Sequence, residues 1–194
     1  MKNTEKGFAL PLALLLLVVM TLMGAVLVSI TVGDIRANNE KDYSQQAFYA
    51  AESGITHGKK WMKTNTNTLT GSSQKNLDGD LKFCKTSFFP NLIGTNGFTF
   101  GRENLNDVIT GSSDKKEKER LSNFSFEYFI AYSPNQSGNN SSAKKKPGTN
   151  KTYYTIYSCG CDESKNTCRS QNNKIVALEA VVTLSTQWEK LYFL

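Results

Sequence analysis

Residues 8–33 read FALPLALLLLVVMTLMGAVLVSITVG and contain no charged side chain. About 20 apolar helical residues are enough to cross the hydrocarbon core of a bilayer, so this segment is long enough to do so. Its apolar residues would lie on every side of a helix, which excludes an amphipathic helix lying on a membrane surface. Lys2 and Lys6 precede the segment and favour a cytoplasmic N-terminus, with the bulk of the chain across the membrane. The sequence therefore argues against a wholly cytosolic globular protein.

After residue 33 the sequence takes on the four-residue spacing of an amphipathic helix. That spacing is visible at Tyr43, Ala47, Ala51 and Ile55, with Phe48 beside them. No proline interrupts the chain between Leu12 and Lys60. The sequence therefore predicts one long helix that ends near Trp61. Its first half, residues 8–33, is apolar throughout, and its second half, residues 34–61, has one stripe to bury against a domain.

Residues 62–194 predict a small globular domain. Alternating aromatic and aliphatic residues over 124–132 indicate a strand, and two more strands are predicted over 153–158 and 175–187. Residues 63–121 are rich in Asn, Thr, Gly and Ser, which predicts loops with one short helix and one short strand. We expect an α+β fold in which a small antiparallel sheet packs on the outer half of the long helix.

The composition of this domain limits its partners. The chain has 194 residues, 39% of them hydrophobic, and a formal net charge of +6. Its lysine-rich stretches at 115–120 and 144–146 have no aromatic residues between the lysines to stack on bases. We interpret both stretches as solvated loops and do not expect nucleic acid as a partner.

Four cysteines predict disulfides in a domain on the outer side of the membrane. They are Cys84, Cys159, Cys161 and Cys168. Three pairings are possible and the sequence does not choose among them. We favour Cys161 with Cys168, closing a small loop between strands, and Cys84 with Cys159, pinning the irregular segment to the sheet. Zinc is not expected because Cys-x-Cys lacks the usual ligand spacing and the only histidine, His57, lies on the helix.

No catalytic residue or cofactor site is predicted, and we do not expect an enzyme. His57 has no serine or cysteine motif beside it and is expected to face solvent. The Gly-Ser-Ser stretches at 71–73 and 111–113 lack the Gly-x-Ser-x-Gly elbow of hydrolases. Residues 78–80, Asp-Gly-Asp, lack the later ligands of a calcium loop, so no metal site is predicted.

The N-terminus admits three interpretations. A cleaved secretory signal would have a shorter apolar core, whereas an ordinary signal anchor fits the hydropathy. The third rests on Gly7, which follows a lysine and precedes Phe8 and the apolar run. This layout resembles the leader of type IV prepilins and pseudopilins. Residues 7–24, with the block QAFYAAESGI at 46–55, resemble the PilX N-terminal family, minor pilins of type IV pili in Gram-negative bacteria.

The resemblance implies a pilin-like fold and a pilin-like life cycle. Residues 1–7 would be a leader peptide, cut between Gly7 and Phe8, and the new amino group of Phe8 would be methylated. Residues 8–33 would form the transmembrane and filament-core helix, with the domain first periplasmic and then on the pilus at the cell surface. Partners would be other minor pilins, the major pilin, prepilin peptidase and a PilY-type tip adhesin. The residues expected to pack subunits are Leu12, Ala47, Ala51 and Glu52.

Leu12 departs from the pattern of most major pilins, which have Glu at the fifth residue after the cut. An unpaired ammonium in apolar surroundings is costly, and Leu12 cannot neutralise the amine of a subunit ahead of it. A place at the filament tip or in a priming complex suits such a subunit. Pro11 would be the fourth residue after the cut, where helical N–H groups have no partner anyway.

Two other functions remain open from the sequence. A type II secretion pseudopilin would have the same kind of leader and the same kind of apolar N-terminal helix. A single-pass anchored periplasmic binding module or enzyme would leave Gly7–Phe8 uncut. A role in adhesion or DNA uptake through the 144–146 lysines is a further hypothesis.

Overall fold

A long N-terminal helix leads into an antiparallel sheet. The computed structural model describes residues 9–69, 71–109, 114–169 and 173–185. The chain forms two compact units, residues 1–42 and residues 43–194. Helix α1 runs over Ala9–Thr64, so the first unit contains its apolar part and the second unit contains the rest.

Helix α1 extends one turn beyond the predicted end at Trp61. The backbone N–H of Asn65 donates to the Trp61 carbonyl at 2.9 Å, and the Asn65 side-chain amide donates to the same oxygen at 3.1 Å. Neither proline nor glycine lies between them, so nothing ends the helix earlier. The prediction of one uninterrupted helix is otherwise confirmed.

Besides the end of α1 and three single-turn 3-10 helices, the second unit contains seven strands and two short α-helices among its described residues. In chain order these are β1 (Lys75–Asn76), β2 (Asn96–Gly97), β3 (Thr99–Asn104), α2 (Leu105–Val108), α3 (Lys115–Ser122), β4 (Ser125–Tyr132), β5 (Lys144–Lys145), β6 (Lys151–Cys161) and β7 (Ile175–Ser185). Strands β1 and β2 form a small ribbon of their own. Strands β3, β4, β6 and β7 form the main antiparallel sheet, and β5 pairs with the start of β6.

The main sheet packs against α1, which confirms the expected α+β architecture and is consistent with a pilin-like fold. Every residue of β4 is buried. The alternation predicted for this strand holds, because Phe126, Tyr128 and Ile130 belong to the core on the α1 face, whereas Phe129 and Ala131 belong to a second core on the other face. The segment from Leu77 to Leu92 covers that second face, which the sequence alone did not predict.

Two stretches expected to be loops are more regular. Residues 115–120 belong to α3, where Asp114 caps the helix by accepting a hydrogen bond from Lys116 N at 3.0 Å. The lysines of this stretch are exposed, so it is solvated as expected but helical. Lys144 and Lys145 form β5, because they pair with Tyr153 and Thr152 of β6.

Candidate functional site

The apolar half of α1 has no covering partner among the described residues. Every large apolar side chain between Leu10 and Val32 is exposed, with exposed fractions from 41% to 72%. The helix is long and apolar enough to cross a membrane once. A continuous exposed apolar surface of this kind marks a contact with lipid or with other proteins.

The predicted site residues fall into three groups. Gly7 and Phe8 lie outside the described residues. Leu12 and Glu52 are exposed on α1, so neither side chain is buried within the described chain. Ala47 and Ala51 are fully buried against the chain's own sheet, which confirms their place in the predicted stripe and commits their side chains to the intramolecular contact.

The buried stripe of α1 is made of small residues as far as Gly58, and Met62 is buried one turn later. Tyr43 and Phe48, which the spacing placed on or beside it, are 51% and 42% exposed. The stripe instead continues through Ala50, Gly54 and Gly58. A stripe of alanine and glycine lets the helix backbone lie close to the sheet, as large side chains would not.

The closest approach is at Gly160 of β6. A Cβ atom at Gly160 would overlap the Ala47 carbonyl oxygen and would lie 2.6 Å from Ala51 N. One turn further along α1, a Cβ at Gly54 would overlap the Ser158 hydroxyl, and one at Gly58 would lie 2.7 Å from Ile156 Cγ2. Glycines on the strand and on the helix therefore both allow α1 and β6 to approach closely where they cross.

Two disulfides hold the opposite face of the sheet. Cys84 bonds to Cys159 with a Cα–Cα distance of 5.3 Å, and Cys161 bonds to Cys168 with a distance of 6.4 Å. This is the pairing favoured from the sequence. In the Cys-Gly-Cys motif the two cysteines therefore belong to the second core, while Gly160 between them faces α1.

Glu127 is a buried anchor that the sequence analysis missed. Its carboxylate is fully buried and accepts hydrogen bonds from the backbone N–H groups of Phe83 and Cys84, both at 2.8 Å, and of Lys82 at 3.0 Å. Arg102 Nε also donates to it at 2.8 Å. A single acidic residue inside the apolar run of β4 was the available signal, since a buried carboxylate requires partners. Together with the Cys84 disulfide, Glu127 fixes the 82–84 backbone to the sheet.

A groove of about 740 Å³ lies beside the second core. Tyr153 and Tyr157 of β6 and Glu179 and Val181 of β7 contribute to its lining. Burial raises the pKa of the Tyr157 hydroxyl to about 12. The nearby Thr155 side chain partly offsets this rise in the pKa. The Tyr157 hydroxyl itself has no hydrogen-bond partner within ordinary distance among the described residues.

The other groups with catalytic potential are dispersed. His57 is half-buried rather than solvent-facing, because its ring packs 5.4 Å from the ring of Phe126. Within the described ranges no group of three or more His, Cys, Asp or Glu side chains is placed to hold a metal ion. The prominent features of the described chain are therefore an uncovered apolar helix and a domain fixed to the end of that helix.

Comparisons with known proteins found no match: no family model, no curated protein and no solved structure is similar to this chain at a significant level.

Proposed function

We propose that this protein is a minor pilin that takes part in type IV pilus assembly. The observation that carries the proposal is the construction of α1, in which an uncharged, uncovered segment continues without a break into a segment packed on the protein's own sheet. An ordinary membrane anchor needs only the first of these segments. A helix that carries its domain on one end and exposes an apolar surface on the other is suited to packing in a bundle of like helices.

Lipid and a helix bundle are equally apolar surroundings for this surface. The hydrophobic effect would therefore change little when the Leu10–Val32 segment moves from the membrane to the bundle. The free energy of this transfer would depend mainly on how closely the helices pack. Such near-neutrality would allow an external motor to extract the subunit from the inner membrane. The proposed partners are the major pilin, other minor pilins and a PilY-type adhesin at the tip.

Within this proposal, Leu12 favours a place for the subunit at the tip or in a priming complex. Its side chain is exposed and carries no charge, so it would leave the terminal amine of a preceding subunit unpaired. Leu12→Glu should then allow the protein to enter the filament shaft, which immunogold labelling along purified pili would detect. Equal labelling of the shaft by the unmodified protein would contradict the tip assignment.

The decisive experiment is mass analysis of the intact protein and its N-terminal peptide, in cells with and without prepilin peptidase. A peptide that begins with methylated Phe8 only when the peptidase is present would support the proposal. Full-length chain in both strains would overturn it and leave an ordinary anchor. Gly7→Leu should block cleavage, whereas Gly24→Ala, where an added methyl group would meet nothing within 4 Å, should not.

A cleaved protein could still serve type II secretion, so a second measurement is needed. Deletion of the gene should abolish or reduce surface pili and leave protein export intact. Loss of export with normal piliation would instead identify a pseudopilin.

A further inference from the structure

The groove beside the second core contains a buried hydroxyl without a partner. Tyr157 lines the groove and is fully buried, and its hydroxyl has no hydrogen-bond partner among the described residues. Its ring is fixed in place, because it stacks on Phe129 and lies edge-on to Phe89, both with ring centroids 4.8 Å away. A buried hydroxyl that stays unpaired is costly, so a ligand atom that pairs with it would remove that cost.

The wall of the groove is held in place by the protein's own hydrogen bonds. Asn135 Oδ1 accepts from the backbone N–H groups of Ser137 at 3.0 Å and of Asn139 at 2.9 Å, which closes a turn after β4. This turn is fixed to the segment before β2, because Ile93 N–H donates to the Gly138 carbonyl at 2.9 Å. The groove is therefore formed without a ligand, as small-molecule sites usually are.

The groove has a carboxylate near one end and ammonium groups near the other. Glu179 of β7 lies opposite Tyr157, and Lys144 of β5 lies opposite Tyr153, with Lys145 next to it in the lining. Tyr153 and Tyr157 lie on one face of β6 four residues apart, which separates the two ends by about 13 Å along the strand. None of the three charged side chains has an ion-pair partner within the described residues.

This lining favours a ligand that carries hydroxyl groups. An apolar molecule would leave the Tyr157 hydroxyl unpaired, and a phosphate backbone along the groove would be repelled by Glu179. In the middle, Ser133 and Thr155 share a single hydrogen bond of 2.8 Å, so their hydroxyls can still donate and accept. Sugar hydroxyls also do both and can donate to the Glu179 carboxylate. Only the end at Lys144 requires an anionic group.

We propose that this groove binds an acidic saccharide. Its hydroxyl groups lie against Glu179 and the buried hydroxyls, and its carboxylate or sulfate group lies against Lys144. The site is on the face of the sheet opposite α1 and uses no residue of that helix. The proposal therefore does not depend on leader cleavage or on the proposed function.

The first test is binding of the labelled full-length chain, in detergent, to an array of neutral, carboxylated and sulfated oligosaccharides. A single-stranded oligonucleotide and polyglutamate on the same array are the non-saccharide polyanions. The protein should bind carboxylated or sulfated saccharides more tightly than their neutral counterparts and than either polyanion. Binding to no saccharide would overturn the proposal. Equal binding to the oligonucleotide would show a general attraction to polyanions and would also overturn it.

The second test asks whether the strongest array ligand uses the buried hydroxyl. Tyr157→Phe removes only the hydroxyl and should weaken binding roughly tenfold, as measured by isothermal titration calorimetry. Its Tm at neutral pH should not fall, because the hydroxyl has no protein partner to lose. Tyr132→Phe is the matched control, since Tyr132 belongs to the core on the α1 face, and it should bind as the unmodified protein does. Unchanged affinity in Tyr157→Phe would overturn the site.

The third test compares two neighbouring lysines with the same ligand. Lys144→Ala should weaken binding roughly tenfold at low salt, because it removes a charge from the groove. Lys146→Ala removes the same charge two residues away, from a residue that does not line the groove, and should change the affinity much less. Equal losses in the two variants would show attraction to the lysine-rich strand as a whole and contradict binding in the groove.

Discussion

Gly160→Ala tests whether the close crossing of α1 over β6 holds the domain on the helix. The added methyl group would meet two backbone atoms of the helix, the Ala47 carbonyl oxygen and Ala51 N, the latter at 2.6 Å. Ordinary contacts begin at 3.4 Å, so the helix or the strand must move by at least 0.8 Å at Ala51 and by more at Ala47. Backbone cannot rotate away as a side chain can.

The expected loss follows from the packing at this crossing. Overpacking of a tight core costs about 1–3 kcal/mol, and the rigid backbone neighbours argue for the upper part of that range. The lower entropy of the unfolded alanine chain returns about 0.4–1 kcal/mol. The net free energy of unfolding should therefore fall by about 2 kcal/mol, which for a chain of this size lowers Tm by roughly 4–8 °C.

The measurement is thermal and urea unfolding of the full-length chain in detergent, followed by near-ultraviolet circular dichroism. Gly79→Ala is the matched control, because a Cβ there meets nothing within 4 Å and the residue does not need a positive φ. It should leave Tm unchanged or slightly raised. If Gly160→Ala were as stable as Gly79→Ala, the close approach of α1 to the sheet would not constrain the fold, and the reasoning would be refuted.

Three further predictions concern the second core and the tyrosines. Replacing Cys84 and Cys159 by alanine should lower the free energy of unfolding by about 4–5 kcal/mol, because this disulfide joins residues 75 positions apart. Replacing Cys161 and Cys168, which are only 7 positions apart, should lower it by about 2–3 kcal/mol. The urea midpoints of the two double variants would test this order. Glu127→Gln should destabilise the domain by about 3 kcal/mol, because it removes the buried charge that pairs with Arg102 and replaces an accepting oxygen by an amino group that cannot accept the backbone N–H hydrogen bonds. A variant as stable as the unmodified protein in urea would contradict this. Burial raises the pKa of Tyr154 and of Tyr157 to about 12, so the unfolded chain loses these protons first as pH rises above 10. The contribution of these two tyrosines to stability should be constant below pH 10 and fall towards pH 12. The fall should be smaller in Tyr157→Phe, as unfolding at successive alkaline pH values would show.

Composition and spacing predicted the parts of this fold that depend on local pattern. The uncharged segment and the absence of proline predicted the long helix, because helix formation and its interruption depend on residues close together in the chain. The alternation over 124–132 predicted β4 and the faces of its side chains. The strand at 175–187 was placed within two residues of its described end at Ser185.

Long-range contacts decided the features that the sequence left open or missed. Glu127 could be noticed as an isolated charge in β4, but its partners lie 25 to 45 residues away in the chain, and no local pattern selects them. The segment before β3 was expected to be mostly loop, and it covers the second core because the disulfide at Cys84 and the Glu127 hydrogen bonds hold it there.

The sequence by itself determined the long helix, its uncharged half and the strands that form the sheet, because hydropathy and periodicity are properties of consecutive residues. Only the tertiary structure decided the exact limits of the buried face of the amphipathic half. Spacing placed Ala47 and Ala51 correctly but also put Tyr43 on the stripe and Phe48 beside it. The buried face runs instead through Ala50, Gly54 and Gly58. The reason is steric: the distance between two packed backbones is set by both surfaces at once, and Gly160 on β6 leaves room only for a helix face without large side chains.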